Sequence, residues 1–119
     1  MIDIRTVQSR KDIKTFVMLP FSLYKNDPNW VAPLISEEIK VFDRHHNPFF
    51  HHSDVELYIA YKNNTPCGRI AAIVNRNHNE FHKEKVVFFG YYDVANDLEI
   101  SRALIQKVVD FGKQHGMTI

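Results

Sequence analysis

The sequence predicts an α+β domain: a mixed, mostly antiparallel sheet with flanking helices. Three observations carry this reading. Residues 55–62, 68–75 and 86–94 are short β-branched or aromatic runs bounded by turn residues, the pattern of neighbouring strands in a meander. Ile100, Leu104, Val108 and Phe111 then recur at helical spacing, so a helix with one face to bury follows the meander. Finally, a chain of 119 residues is one domain, 1–119, with a single core and little area to spare.

In chain order, Ile2, Ile4 and Val7 set apart by polar residues predict a short first strand with one buried face. Ser9 with Asp12 three residues on is close to a capping box, and Ile13, Phe16 and Val17 carry a helix from about Arg10. Pro20 is expected to kink or divide that helix, since proline lacks the donor and clashes with the preceding turn; Phe21 and Tyr24 continue its apolar face. Residues 25–29 are a turn cluster, after which Trp30 is expected to anchor the loop against the core. Pro33 suits the first position of a second helix, with Leu34, Ile35, Ile39 and Phe42 as its apolar side and Glu37, Glu38 and Lys40 facing water. Phe49 and Phe50 form a second apolar plug after Asn47-Pro48.

The strand at 55–62 alternates Val55, Leu57, Ile59 and Tyr61 against Glu56, Tyr58, Ala60 and Lys62. Residues 63–66, Asn-Asn-Thr-Pro, are a hairpin turn, and Gly68 marks a bulge or a close backbone approach in the return strand. Residues 75–85 are a polar connection with room for a short helical turn. Residues 86–94 are expected to be buried on both faces. Asp97 reads as the N-cap of the last helix, with Glu99 favourable to its dipole, and Gly116 as its left-handed cap. Met117-Thr118-Ile119 reads as the start of a further strand, so a fragment or a truncated product is expected.

Composition excludes several classes. The chain is 45% hydrophobic and 24% charged with a formal net charge of +1, so no strong field calls for nucleic acid or an anionic membrane. No apolar run approaches the ~20 residues needed to span a bilayer, and the first residues lack the pattern of a signal peptide. Cys67 is the single cysteine. An internal disulfide is therefore excluded, and a reducing compartment, the cytoplasm, is expected.

The order of elements and a set of local runs resemble the GNAT superfamily, the acyl-CoA N-acyltransferases, and within it a bacterial subgroup of GNAT-like N-acetyltransferases. The runs are Leu19-Pro20-Phe21 with Leu23-Tyr24; Asp27-Pro28 with Trp30-Val31 and Pro33-Leu34; Asn47-Pro48-Phe49-Phe50-His51-His52; Gly68-Arg69-Ile70-Ala71-Ala72-Ile73 with Asn75 and His78-Asn79; and Phe88-Phe89-Gly90 followed by the helix ending at Gly116-Met117-Thr118. The resemblance covers nearly the whole chain and implies a GNAT-like fold truncated before its C-terminal strands. It implies acetyl-CoA or another acyl-CoA as donor and a small-molecule or peptide amine as acceptor. The thioester end would run along Tyr91, Asp93 and Val94, and the pyrophosphate would meet Asn96 and Leu98 at the start of the last helix. Many members build that loop from Arg or Gln and spaced glycines; here it is Ala95-Asn96-Asp97-Leu98-Glu99-Ile100-Ser101.

An acceptor amine must lose a proton before it attacks, and a His or Glu nearby can take it, directly or through water. His78, Glu80 and His82 in the polar connection have that chemistry; the alternative is a solvated loop whose side chains satisfy backbone groups. Tyr92, or its neighbour Tyr91, is the candidate to protonate the departing thiolate, a role tyrosine has in many of these enzymes. His78 and His82, four apart, and the pairs His45-His46 and His51-His52 raise a metal reading, but Glu80 is out of place for the zinc-protease helix and no metal is expected. Arg69 is read as facing solvent or pairing with Glu56, or as meeting an anionic group. A non-catalytic domain that binds a partner or small ligand is the alternative function. A homodimer formed over an uncovered strand edge is a further expectation.

Overall fold

The structure, a computed structural model, describes residues 2–42 and 47–117. His45, His46 and residues 118–119 of the expected further strand lie outside the described residues. The chain runs β1 (Ile2–Thr6), α1 (Arg10–Leu23), α2 (Ile35–Val41), a 3-10 turn (Pro48–His51), β2 (Ser53–Lys62), β3 (Thr65–Asn75), α3 (Arg76–His82), β4 (Phe88–Val94) and α4 (Leu98–Gln114). The strands form one sheet in the order β1-β2-β3-β4, antiparallel at every junction. Among the described residues, no helix is long and apolar enough to cross a membrane.

The sheet has a helical layer on each side, because alternate residues of its central strands are apolar in both directions. Tyr58, Ala60, Ile70, Ala72 and Val74 meet the α4 stripe of Ile100, Leu104, Val108 and Phe111. Val55, Leu57, Ile59 and Ala71 meet Phe16 and Val17 of α1, and Phe42. The β2–β3 turn is made by Asn63 and Asn64, at φ 53° and 63°. Two consecutive left-handed residues match the twist of the flanking strands, and asparagine tolerates that region well. Cys67 is an extra residue in β3, since Gly68 pairs with Ala60 while Pro66 pairs with Tyr61. Gly68 is also a close approach: a Cβ there would lie 2.9 Å from Leu104 Cδ1. Both readings of Gly68 thus hold.

The Ser9 hydroxyl caps α1 by accepting from the Asp12 amide at 3.1 Å. The Asp12 carboxylate reaches back to the Gln8 amide at 3.0 Å, one residue further than in the usual box. Pro20 does not divide the helix, which continues as one element to Leu23. Proline removes the amide that would have bonded to Phe16, four residues back, and the Arg69 guanidinium donates to that carbonyl instead, at 2.8 Å.

Other expectations are corrected. α2 begins at Ile35, with Pro33 ahead of its N-cap, Leu34. Leu34 is 72% exposed and Ile35 also faces solvent, so the helix packs through Ile39, Val41 and Phe42 alone. Trp30 packs on Phe21 and Tyr24, with ring centroids at 5.1 and 5.7 Å, at the end of α1 rather than in either core cluster. β4 begins at Phe88, and both its faces are partly open, with Phe89 53% exposed. The reason is that, among the described residues, only β3 pairs with it. Val86 falls outside it because the Asn79 side chain brackets Val86, donating to its carbonyl at 3.1 Å and accepting from its amide at 3.4 Å.

Candidate functional site

The polar connection folds into α3, capped by the Asn75 side chain, which accepts from the His78 amide at 3.0 Å. His78 and His82 fall one turn apart on one face, their rings 4.5 Å between centroids, and His78 sits edge-on to Phe88 at 4.8 Å. His78 Nε2 lies 3.3 Å from Glu84 Oε2. Glu80, two residues along, is exposed and falls on another face of the helix. The structure therefore brings His78 and His82 together and substitutes Glu84, which sequence reasoning passed over, as the carboxylate beside His78. Among the described residues no group of three or more His, Cys, Asp or Glu is placed to hold a metal ion.

β4 carries an irregularity at its centre. Arg69 pairs with Asp93 and Ala71 with Gly90, so Tyr91 and Tyr92 together face Ile70, a bulge that leaves one residue unpaired. Tyr91 takes up the turn at φ 49°, an uncommon and strained conformation for a bulky residue. The bulge sends the two tyrosines to opposite sides. The Tyr91 ring packs at 4.8 Å from Phe42 and 6.4 Å from Phe16. Burial and the nearby Glu38 carboxylate push its pKa up, so its hydroxyl stays protonated at neutral pH. The Tyr92 hydroxyl hydrogen-bonds the Ser101 hydroxyl of α4, away from His78 and His82 beside Phe88.

Of the residues expected along a donor, Val94 packs against the α4 core, and Asn96 and Leu98 are exposed. The Asp97 carboxylate accepts from the Glu99 amide at 2.9 Å and lies 3.3 Å from Lys62 Nζ. The Glu99 amide holds its pKa below the usual value, with help from Lys62. An internal carboxylate thus occupies the anion position at this helix start.

Asp93 is engaged elsewhere. Arg69 reaches its Oδ2 through Nε at 3.0 Å and Nη2 at 2.9 Å, and the Tyr24 hydroxyl donates to its Oδ1 at 2.7 Å. That hydrogen bond is the main cause of a raised Tyr24 pKa. Arg69 is only 7% exposed and stacks over the Phe16 ring at 4.8 Å. It faces neither solvent nor Glu56, because its cross-strand partner on β4 is Asp93. Beside this network, between the sheet and the α2 and 3-10 segments, lies a pocket of about 320 Å³. Phe42, Phe49, Phe50, Leu57, Ile73 and Tyr91 line it, among others. Sequence reasoning had the Phe49-Phe50 plug but no sign of the space behind it.

No protein-family model matches the chain, and no solved structure is significantly similar to it. Two curated proteins are. Protein YghO of Escherichia coli is 31% identical over 113 residues, which is 95% of this chain and 29% of that protein. Bacterial ceramide synthase of Caulobacter vibrioides is 28% identical over 113 residues, 94% of this chain and 29% of that protein. The chain thus spans less than a third of the length of the curated relatives it matches.

Proposed function

We propose that this chain is part of a GNAT-fold N-acyltransferase, carrying an acyl group from a CoA thioester to an amine. The observation that carries the reading is the bulged edge strand β4. Only β3 pairs with it among the described residues, so its other edge presents free amides and carbonyls to an extended ligand. The pantetheine arm of CoA, with its two amides, suits such an edge. A bulge beside it ends the regular ladder and re-aims side chains at the reacting end. The Caulobacter relative is named for making ceramide, and a ceramide is by its chemistry an amide of a long-chain amino alcohol.

In this reaction the amine nitrogen attacks the thioester carbonyl carbon. The amine proton passes to a base, the C–S bond breaks as the amide forms, and the thiolate is protonated. His78, beside Glu84, is the best placed base of the α3 group, and Tyr91 the acid, since the Tyr92 hydroxyl turns to Ser101 on the other side of the sheet. A melting experiment with acetyl-CoA tests donor binding. A ligand at 100 times its Kd adds about 2.7 kcal/mol, so melting temperature rises with donor concentration; an unchanged curve at millimolar acetyl-CoA would overturn the reading.

The start of α4 favours a second reading, a non-catalytic GNAT-fold domain that binds a ligand or protein. Asp97 and Glu99 set two carboxylates where a pyrophosphate would lie. An amine from a panel of short and long ones that raises the melting temperature, while acetyl-CoA raises nothing and no free CoA thiol is released, would decide for it.

A further inference from the structure

We infer that the pocket beneath Phe42 and the 3-10 turn takes a saturated aliphatic chain, with its polar end at Tyr91. The inference rests on the acyltransferase reading for what that polar end is, and on the pocket itself for the chain. Its volume, about 320 Å³, is at the lower end of the roughly 300–1,000 Å³ of small-molecule sites, and more than an acetyl group needs. Its walls are aromatic and aliphatic. The polar side chain of Asn47 is also there, but each end of its amide already has a partner: Nδ2 donates to the Val41 carbonyl at 2.8 Å, and Oδ1 accepts from the Phe49 amide at 3.0 Å. The backbones of β2 and β3 behind it are paired with each other. A ligand with polar groups along its length would leave most of them without partners here, an unfavourable exchange for their bonds to water, whereas methylenes fit.

Tyr91 supplies the polar element. It lines the pocket and also stands at the bulge of β4, so the pocket reaches the strand on which the transfer is proposed. A chain seated against Leu57 and Ile73 has its head at the phenol, a hydrogen-bond donor at neutral pH. Two reactants have this chemistry: an acyl donor with a fatty tail, and an amine with an alkyl tail. The Caulobacter relative's named product contains both kinds of tail, and the experiment separates them.

The test compares acetyl-CoA with dodecanoyl-CoA, and butylamine with dodecylamine, with dodecanoate as a bare chain. Binding is followed by calorimetry and by the methyl NMR signals of Val55, Leu57 and Ile73. We expect about fourfold tighter binding for each methylene that becomes buried, with shifts and intermolecular contacts at those methyls. Whether the donor or the amine series produces them identifies the tail. Ala71→Leu, which fills the pocket from β3, should abolish the chain-length dependence. Should that variant fail to fold, the methyl contacts of the unaltered protein still decide. Acetyl-CoA binding with no chain-length dependence in any series overturns this inference and leaves the acyltransferase reading intact. Dodecanoate at these methyls with no thioester or amine bound upholds the pocket and overturns that reading.

Discussion

Phe16 loses its helical hydrogen bond because residue 20 is a proline, and Arg69 takes the freed carbonyl. The proline therefore makes the site for the arginine, and the arginine in turn neutralises Asp93, which Tyr24 also holds. An interior proline ordinarily costs a helix about 3 kcal/mol relative to alanine. Because the Phe16 carbonyl already has a partner, Pro20→Ala is expected to stabilise by only about 1 kcal/mol or less in urea titration. None of this was legible from residues 16, 20 and 69 alone. Strand alternation says that Arg69 leaves one face of β3, but only the register places Asp93 opposite it. Tyr58 gives a second prediction at this scale. Burial first, then the Glu56 and Asp110 carboxylates, push its pKa from 10.0 up to about 12. The unfolded chain loses that proton first as pH rises. Its contribution to stability is therefore complete below pH 10 and declines between pH 10 and 12. Urea midpoints should fall less steeply over this window in Tyr58→Phe than in the unaltered protein.

Among the elements, those whose signal is local were the legible ones. Asn63-Asn64 specifies its own turn, Ser9 and Asp97 cap their helices, and the α4 stripe is buried at all four expected positions. β4 was misread because its composition is that of a central strand, and whether a strand is central depends on what lies beside it. α2 was misread for a related reason: helical spacing placed Leu34 and Ile35 on an apolar side, but nothing among the described residues covers that part of it. Gly68 links two elements and gives a sharper test. Leu104 is fully buried, so it has little room to withdraw from a new methyl group, and Gly68→Ala should destabilise by about 1–3 kcal/mol. Combining it with Leu104→Ala should cost less than the sum of the two changes, a coupling that a double-mutant cycle reads directly.

For the whole molecule, the open side of β4 governs behaviour. Phe88, Phe89, Tyr91 and Tyr92 are each 37–53% exposed along an edge that no other strand covers among the described residues, a template for another strand. We expect the mass from light scattering to rise with protein concentration, and Phe89→Lys to restore the monomer; a constant mass in the unaltered protein would remove this expectation. The candidate site was legible in part. The four-residue spacing of His78 and His82 predicts their shared face, while Glu84 joins them only after Lys83 turns the chain at φ 52°. The pocket left no trace in the sequence because its wall is drawn from α2, the 3-10 turn and three of the structure's strands; such a space is a property of packing, not of any run of residues.

The strand order has a further consequence, for the route by which the chain folds. β2 and β3 meet across a two-residue turn, so their pairing closes the smallest loop and is the cheapest long element to form. β1 finds β2 only after a separation that sets Ile2 against Lys62. A nucleus of the hairpin with α4 docking on it, and β1 added late, is the order this favours. Stopped-flow measurements should then find that Ile59→Val in the hairpin slows refolding, whereas Ile4→Ala in β1 leaves refolding nearly unchanged and speeds unfolding.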